Sequence, residues 1–226
     1  MPSQTVDLPL PADDWPYLYL RERGIPTLYL TTLMVMACFA FGAIAMLSPL
    51  RVGTIDLPLF LLGASFLLLE TKSVTTFSLL FGSTWFVNTV VFAAILAVVL
   101  LANWLVTWKR WTNPHGFFAV LLVTLGLLYY VRIAGFLRLG LLAKCLVAGG
   151  FVAAPIFFSS VIFAILVTRT TDIGLALGSN LLGAVTGGFL EYTSMLWGLN
   201  GLYLIAAALY LVANLRLMRQ RVVSSP

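Results

Sequence analysis

The sequence predicts an all-α protein of the membrane, a polytopic helical bundle with about seven spans and six possible. Three observations carry that expectation. Of the 226 residues, 61% are hydrophobic and 9% charged, and the mean hydropathy is +1.03, whereas soluble domains carry about 25% charged residues. The apolar runs extend for about 17 to 26 residues, the length at which a helix crosses about 30 Å of hydrocarbon. Strand-length segments of alternating polarity, which a membrane β-barrel requires, are missing.

The elements follow in order along the chain. Residues 1–25 form a polar or interfacial tail holding Asp7, Asp13, Asp14, Arg21, Glu22 and Arg23. No cationic start leads there into an apolar core and a small-residue cleavage site, so the tail is not a signal peptide. Trp15, Tyr17 and Tyr19 within it suit an interfacial aromatic belt. Spans are expected at 26–47, 57–81, 85–108, 116–131, 141–167, 173–197 and 199–217; the fourth is short enough to be tilted or not to cross. RVGTIDLP supplies Asp56 as a cap with Pro58 in the first turn, KRWTNPHG a basic, aromatic, turn-forming break, and TRTTD the join between the fifth and sixth spans. With no low-complexity linker, 26–217 reads as one transmembrane domain, followed by a basic tail at 218–226.

Charge and cysteine content exclude several function classes. The formal charge of +5 is scattered over helix ends, which fits snorkelling anchors and headgroup contacts and no nucleic-acid partner. Counted by side, the N-terminal end carries Arg21, Arg23, Arg132, Arg138 and Lys144. The opposite end carries Arg51, Lys109, Arg110, Arg169, Arg216, Arg219 and Arg221, a slight preference for N-out, C-in. Cys38 and Cys145 have no metal-ligand spacing and read as small packing residues. GSNLLGAVTGG lacks the GK[ST] of a phosphate loop and follows no soluble strand. The lone His115 lies in a loop with no paired ligand or nucleophile. No cofactor, metal or catalytic residue is expected.

The residues that stand out are charges within spans. Of 13 basic and 8 acidic residues, only Glu70, Lys72 and Glu191 fall well inside them, and such a residue costs at least about 2.5 to 3.5 kcal/mol at the bilayer centre unless it faces the bundle or a wet cavity. Glu70 lies thirteen residues beyond Leu57, about 20 Å along a helix and so near the midplane. Two helical steps of about 100° turn Lys72 about 200° away from Glu70, so the two face opposite sides and the second span must be central. In the sixth span Asn180, Ala184, Gly187, Gly188, Glu191, Ser194 and Gly198 share a sector, and Gly183 and Gly187 form a GxxxG spacing that invites a close partner helix. Lys72 is then the candidate donor for Glu191, with other donors, waters or protonation as alternatives. Asn88 and Asn103 on the third span, and Ser159 and Ser160 after Pro155 on the fifth, make interhelical hydrogen bonds or line a cavity.

Three segments together, DDWPYLYLRERGIP, FLLGASFLLLETKSVTTFSLLFGSTWFVN and ALGSNLLGAVTGGFLEYTSMLWGLNGLYL, resemble the C-terminal membrane region of bacterial spermidine synthase-like integral membrane proteins. That resemblance implies a bacterial inner-membrane protein whose soluble partner is an aminopropyltransferase-like or methyltransferase-like domain. It makes DDWPYLYLR the tail of that domain or the joint to it, and leaves this chain a non-catalytic module that anchors or regulates it. The nucleotide-binding loop, ribose ligand and catalytic acid of that domain have no counterpart here, so no catalytic residue carries over. A second expectation is a transporter or permease component for a polyamine or other small cation, with Glu70, Lys72 and Glu191 as compensating or proton-coupling groups. The bilayer is the first partner, and a homo-oligomer is open.

Overall fold

The computed structural model describes residues 14–17, 20, 22–47, 55–131, 135 and 140–224. Tyr19, Arg21, Arg51, Arg132 and Arg138 lie outside them. Within them the chain runs through α1 (Thr27–Leu47), α2 (Leu57–Phe81), α3 (Trp85–Lys109), α4 (His115–Tyr130), α5 (Leu141–Val167), α6 (Ile173–Leu190), a 3-10 turn at Glu191–Thr193, α7 (Ser194–Trp197) and α8 (Gly201–Ser224). Five segments are long and apolar enough to cross a membrane: Leu57–Phe81, Trp85–Lys109, Cys145–Val167, Ile173–Trp197 and Gly201–Gln220. Two shorter apolar helices, Thr27–Gly42 and His115–Tyr130, accompany them. α8 continues helically through the basic residues Arg216 and Arg219 to Ser224.

The breaks have local causes. Asp56 caps α2 by accepting from the Leu59 amide at 3.2 Å, with Pro58 in the first turn. Thr84 caps α3 through Val87, and Asp172 caps α6 through Leu175 at 2.9 Å. Gly82 ends α2 at φ +95°, a conformation that side chains disfavour.

α2 occupies the centre, lying against α3, α5, α6 and α8. Lipid tails are as apolar as leucine side chains, so helices in a bilayer are held by close packing and interhelical hydrogen bonds. The α2–α6 contact has that character. A Cβ on Gly63 would overlap the Asn180 carbonyl, one on Gly183 the Phe60 carbonyl, and one on Gly187 would stand 2.5 Å from the Ala64 carbonyl oxygen. Residue numbers rise together on the two helices, so they run parallel. The GxxxG spacing thus faces α2. On the opposite flank, Ala206, Tyr210 and Ala213 of α8 and Phe118, Leu121 and Leu125 of α4 are buried together with Leu62 and Leu69 of α2.

Several expectations change. Trp15 is 4% exposed and buried at one end of the bundle, where a lipid-facing belt residue was expected. Cys38 and Cys145 are both exposed rather than packed. No described residue of α1 is buried; Leu28, Phe39 and Met46 project outward, and the Tyr29 ring meets Tyr192 at 6.0 Å between centroids.

Candidate functional site

The α2 helix distributes its polar groups to three sides. The stripe Phe60, Gly63–Ala64, Leu67 and Thr71 follows helical spacing and faces α6. At its upper end the Thr71 hydroxyl donates to Glu191 Oε2 at 2.8 Å, and at its lower end the Asn180 amide donates to the Leu59 carbonyl and the Asp56 amide to Ser179 Oγ. The Lys72–Glu191 pair is therefore not formed. The close glycine contact brings Glu191 to α2 as expected, but the residue in line with the stripe is Thr71, one position before Lys72.

Lys72 points the other way, between α2, α4, α5 and α8. It is 1% exposed, and its ammonium lies 5.4 Å from the centre of the Tyr203 ring, over the face of that ring. Among the described residues, neither its Nζ nor the buried Thr76 hydroxyl one turn further on has a hydrogen-bond partner. Thr76 Oγ1 lies close to Tyr203 without reaching hydrogen-bond geometry. Both atoms line a chamber of about 20 Å³ that Asn200 and Tyr203 also border.

Glu70 looks into a separate cavity of about 270 Å³ where α2, α3, α5 and α6 meet. That cavity gathers four of the residues singled out from sequence: Glu70, Ser159, Ser160 and Asn180. The other lining is apolar, including Leu62, Phe66, Ile95 and Phe163. The three neutral polar groups are engaged elsewhere: Ser159 with the Tyr210 hydroxyl at 2.6 Å, Ser160 with the Ile156 carbonyl at 2.7 Å, and Asn180 with Leu59. The Glu70 carboxyl is half-buried and takes part in no hydrogen bond or ion pair among the described residues. Asn88 and Asn103 join neither cavity. Asn88 accepts from Ser78 at 3.3 Å across the α2–α3 turn, and Asn103 lies about four helical turns away. Two hollows of about 640 and 480 Å³ lie at opposite ends of the bundle, and neither is lined by Glu70, Lys72 or Glu191.

A further constellation closes one end. Asp14 accepts the Asn200 amide on Oδ1 at 2.6 Å and the Leu199 amide on its backbone carbonyl at 2.7 Å. The Trp15 indole donates to the Met195 carbonyl at 2.9 Å, and the Tyr17 hydroxyl bonds Ser194 Oγ. Gly198, at φ +83°, leaves room for Asp14. Burial pushes the Tyr17 phenol above its usual 10; the Ser194 hydrogen bond opposes that shift, and the charges of Glu191 and Asp14 reinforce it. At the other end His115 Nδ1 bonds Asn214 Oδ1 at 2.6 Å, so this residue is a helix-to-helix link at the start of α4.

The fold and site together define a class, the all-helical, multi-pass integral membrane protein with ionisable groups at the bundle interior. No family model, curated protein or solved structure matches the chain.

Proposed function

We propose that this chain is a membrane-embedded binding or transport component for a small organic cation, with Glu70 as the counter-charge. The observation that supports it most is the unengaged Glu70 carboxyl at a cavity of about 270 Å³ whose other polar groups are already hydrogen-bonded. Intramembrane acids are retained at a cost and serve as ion, proton or substrate sites by default. The cavity presents one carboxylate in an otherwise apolar lining, so it suits a single positive charge on an apolar body better than a polyamine with several. In this reading the five long apolar segments cross a bacterial inner membrane together with the two shorter apolar helices of α1 and α4. Uptake of a labelled primary monoamine into proteoliposomes tests it: Glu70→Gln abolishes uptake, and a variant that transports like the wild type at every pH overturns the role given to Glu70.

The docked Asp14–Tyr17 segment favours a second function, a non-catalytic module that anchors or regulates a soluble aminopropyltransferase-like or methyltransferase-like partner. A partner joined at DDWPYLYLR would be held in a fixed position over one end of the bundle, because Asp14, Trp15 and Tyr17 are tied to 194–200. Co-purification of such a partner, lost on Trp15→Ala and Asp14→Ala, supports it; a partner retained by both variants removes this segment from the interface.

A further inference from the structure

We infer that the chamber beside Lys72 binds one small monovalent anion of about the size of chloride. Its volume, about 20 Å³, exceeds the roughly 10 to 15 Å³ that one water-sized guest needs and is too small for a phosphate or a carboxylate-bearing metabolite. The groups that face it are mostly donors. The Lys72 ammonium carries three N–H groups and the Thr76 hydroxyl one; both are buried, and neither meets a hydrogen-bond partner in good geometry among the described residues. Asn200 and Tyr203 border the same space, and the remaining wall is apolar, as at Leu128, Ala148 and Val152.

The charge arithmetic points the same way. Among the described residues, Lys72 is the one lining residue able to carry a positive charge and no carboxylate lines the chamber. Asp14 is the acid whose field reaches Lys72, but it borders the outer hollow on the other side of Asn200 and spends Oδ1 on the Asn200 amide. The Tyr203 ring face attends to one side of the ammonium. A guest that accepts from Lys72 and Thr76 together and also cancels the buried charge is an anion. Water satisfies only the hydrogen bonds.

The site is independent of Glu70, which faces the opposite side of α2. The test uses the full chain in lipid nanodiscs, with chloride exchanged for gluconate at constant ionic strength and pH. Chloride-35 line broadening and the thermal unfolding midpoint are read in parallel. The wild type should show saturable chloride dependence in both. Lys72→Met should abolish it, the isosteric Thr76→Val should weaken binding about tenfold, and Glu70→Gln should leave it unchanged. A wild type indifferent to chloride means the chamber holds water only and overturns the inference. Chloride dependence that survives Lys72→Met, or that Glu70→Gln removes equally, places the anion elsewhere and overturns it too.

Discussion

Replacing Gly187 by alanine puts the α2–α6 contact under a defined strain. The new methyl would stand 2.5 Å from the Ala64 carbonyl oxygen, and ordinary contact begins at 3.4 Å, so the helices must part by about 0.9 Å there. The obstacle is backbone on a central helix, which cannot rotate aside as a side chain can. Parting by that amount also stretches the 2.8 Å Thr71–Glu191 hydrogen bond to about 3.7 Å, past hydrogen-bond range. Overpacking of this kind costs about 1 to 3 kcal/mol, and the lost charge-assisted bond adds about 1 kcal/mol at a half-buried site. Reversible unfolding in mixed micelles measures the sum. Gly126→Ala, where no atom lies within 4 Å of the added methyl, is the matched control and should be neutral or slightly stabilising, since alanine favours helix. If Gly187→Ala is as stable as Gly126→Ala, the close parallel packing of α2 on α6 is wrong.

Other perturbations reach separate parts of the bundle. Thr71→Val should destabilise by about 1 to 2 kcal/mol by taking the donor from Glu191, while Glu191→Gln, which keeps an acceptor, costs less; equal losses in the same unfolding assay would contradict the assigned bond. Ser159→Ala and Tyr210→Phe each strand a buried hydroxyl at a cost of about 1 to 3 kcal/mol, and the double variant should lose less than the two combined. Strict additivity in that cycle would mean the two hydroxyls do not interact. The raised Tyr17 phenol sets a pH dependence: its contribution is complete below about pH 10 and is lost as the pH rises through its higher folded value. Unfolding midpoints from pH 8 to 11.5 should therefore show an alkaline decline that Tyr17→Phe diminishes, and identical profiles would count against the buried position of that phenol.

Much of the fold was legible because lipid and helix geometry act on short stretches of sequence. Asp56 with Pro58, Thr-Asn-Pro, and Asp172 mark boundaries through local hydrogen bonds, and all coincide with helix ends. The central place of α2 followed from two charges facing opposite sides, and the GxxxG of α6 did find a close partner. Glu191 was assigned the wrong neighbour because its partner was chosen by charge. The small pair Gly63–Ala64 already marked the face of α2 that meets α6, and continuing that stripe by helical steps ends on Thr71. The gathering of Glu70, Ser159, Ser160 and Asn180 around one cavity was not legible, since it depends on how three other helices rotate against α2. Nor was the burial of Trp15: an aromatic residue near a span normally reads as an interfacial anchor, and the carbonyl it meets, that of Met195, is 180 residues away. Tyr203 and Tyr210 gave no signal beyond aromatic residues in an apolar run.

Equilibrium binding of a small primary monoamine to the full chain in lipid nanodiscs, compared between wild type and Glu70→Gln, addresses the central claim most directly. Loss of one partner from a buried charge pair costs about 2 kcal/mol or more, which is about 30-fold in affinity. The account predicts saturable wild-type binding weakened by at least that factor in Glu70→Gln and retained in Glu191→Gln, whose carboxyl lies outside the cavity. Equal affinity in the wild type and Glu70→Gln would contradict it.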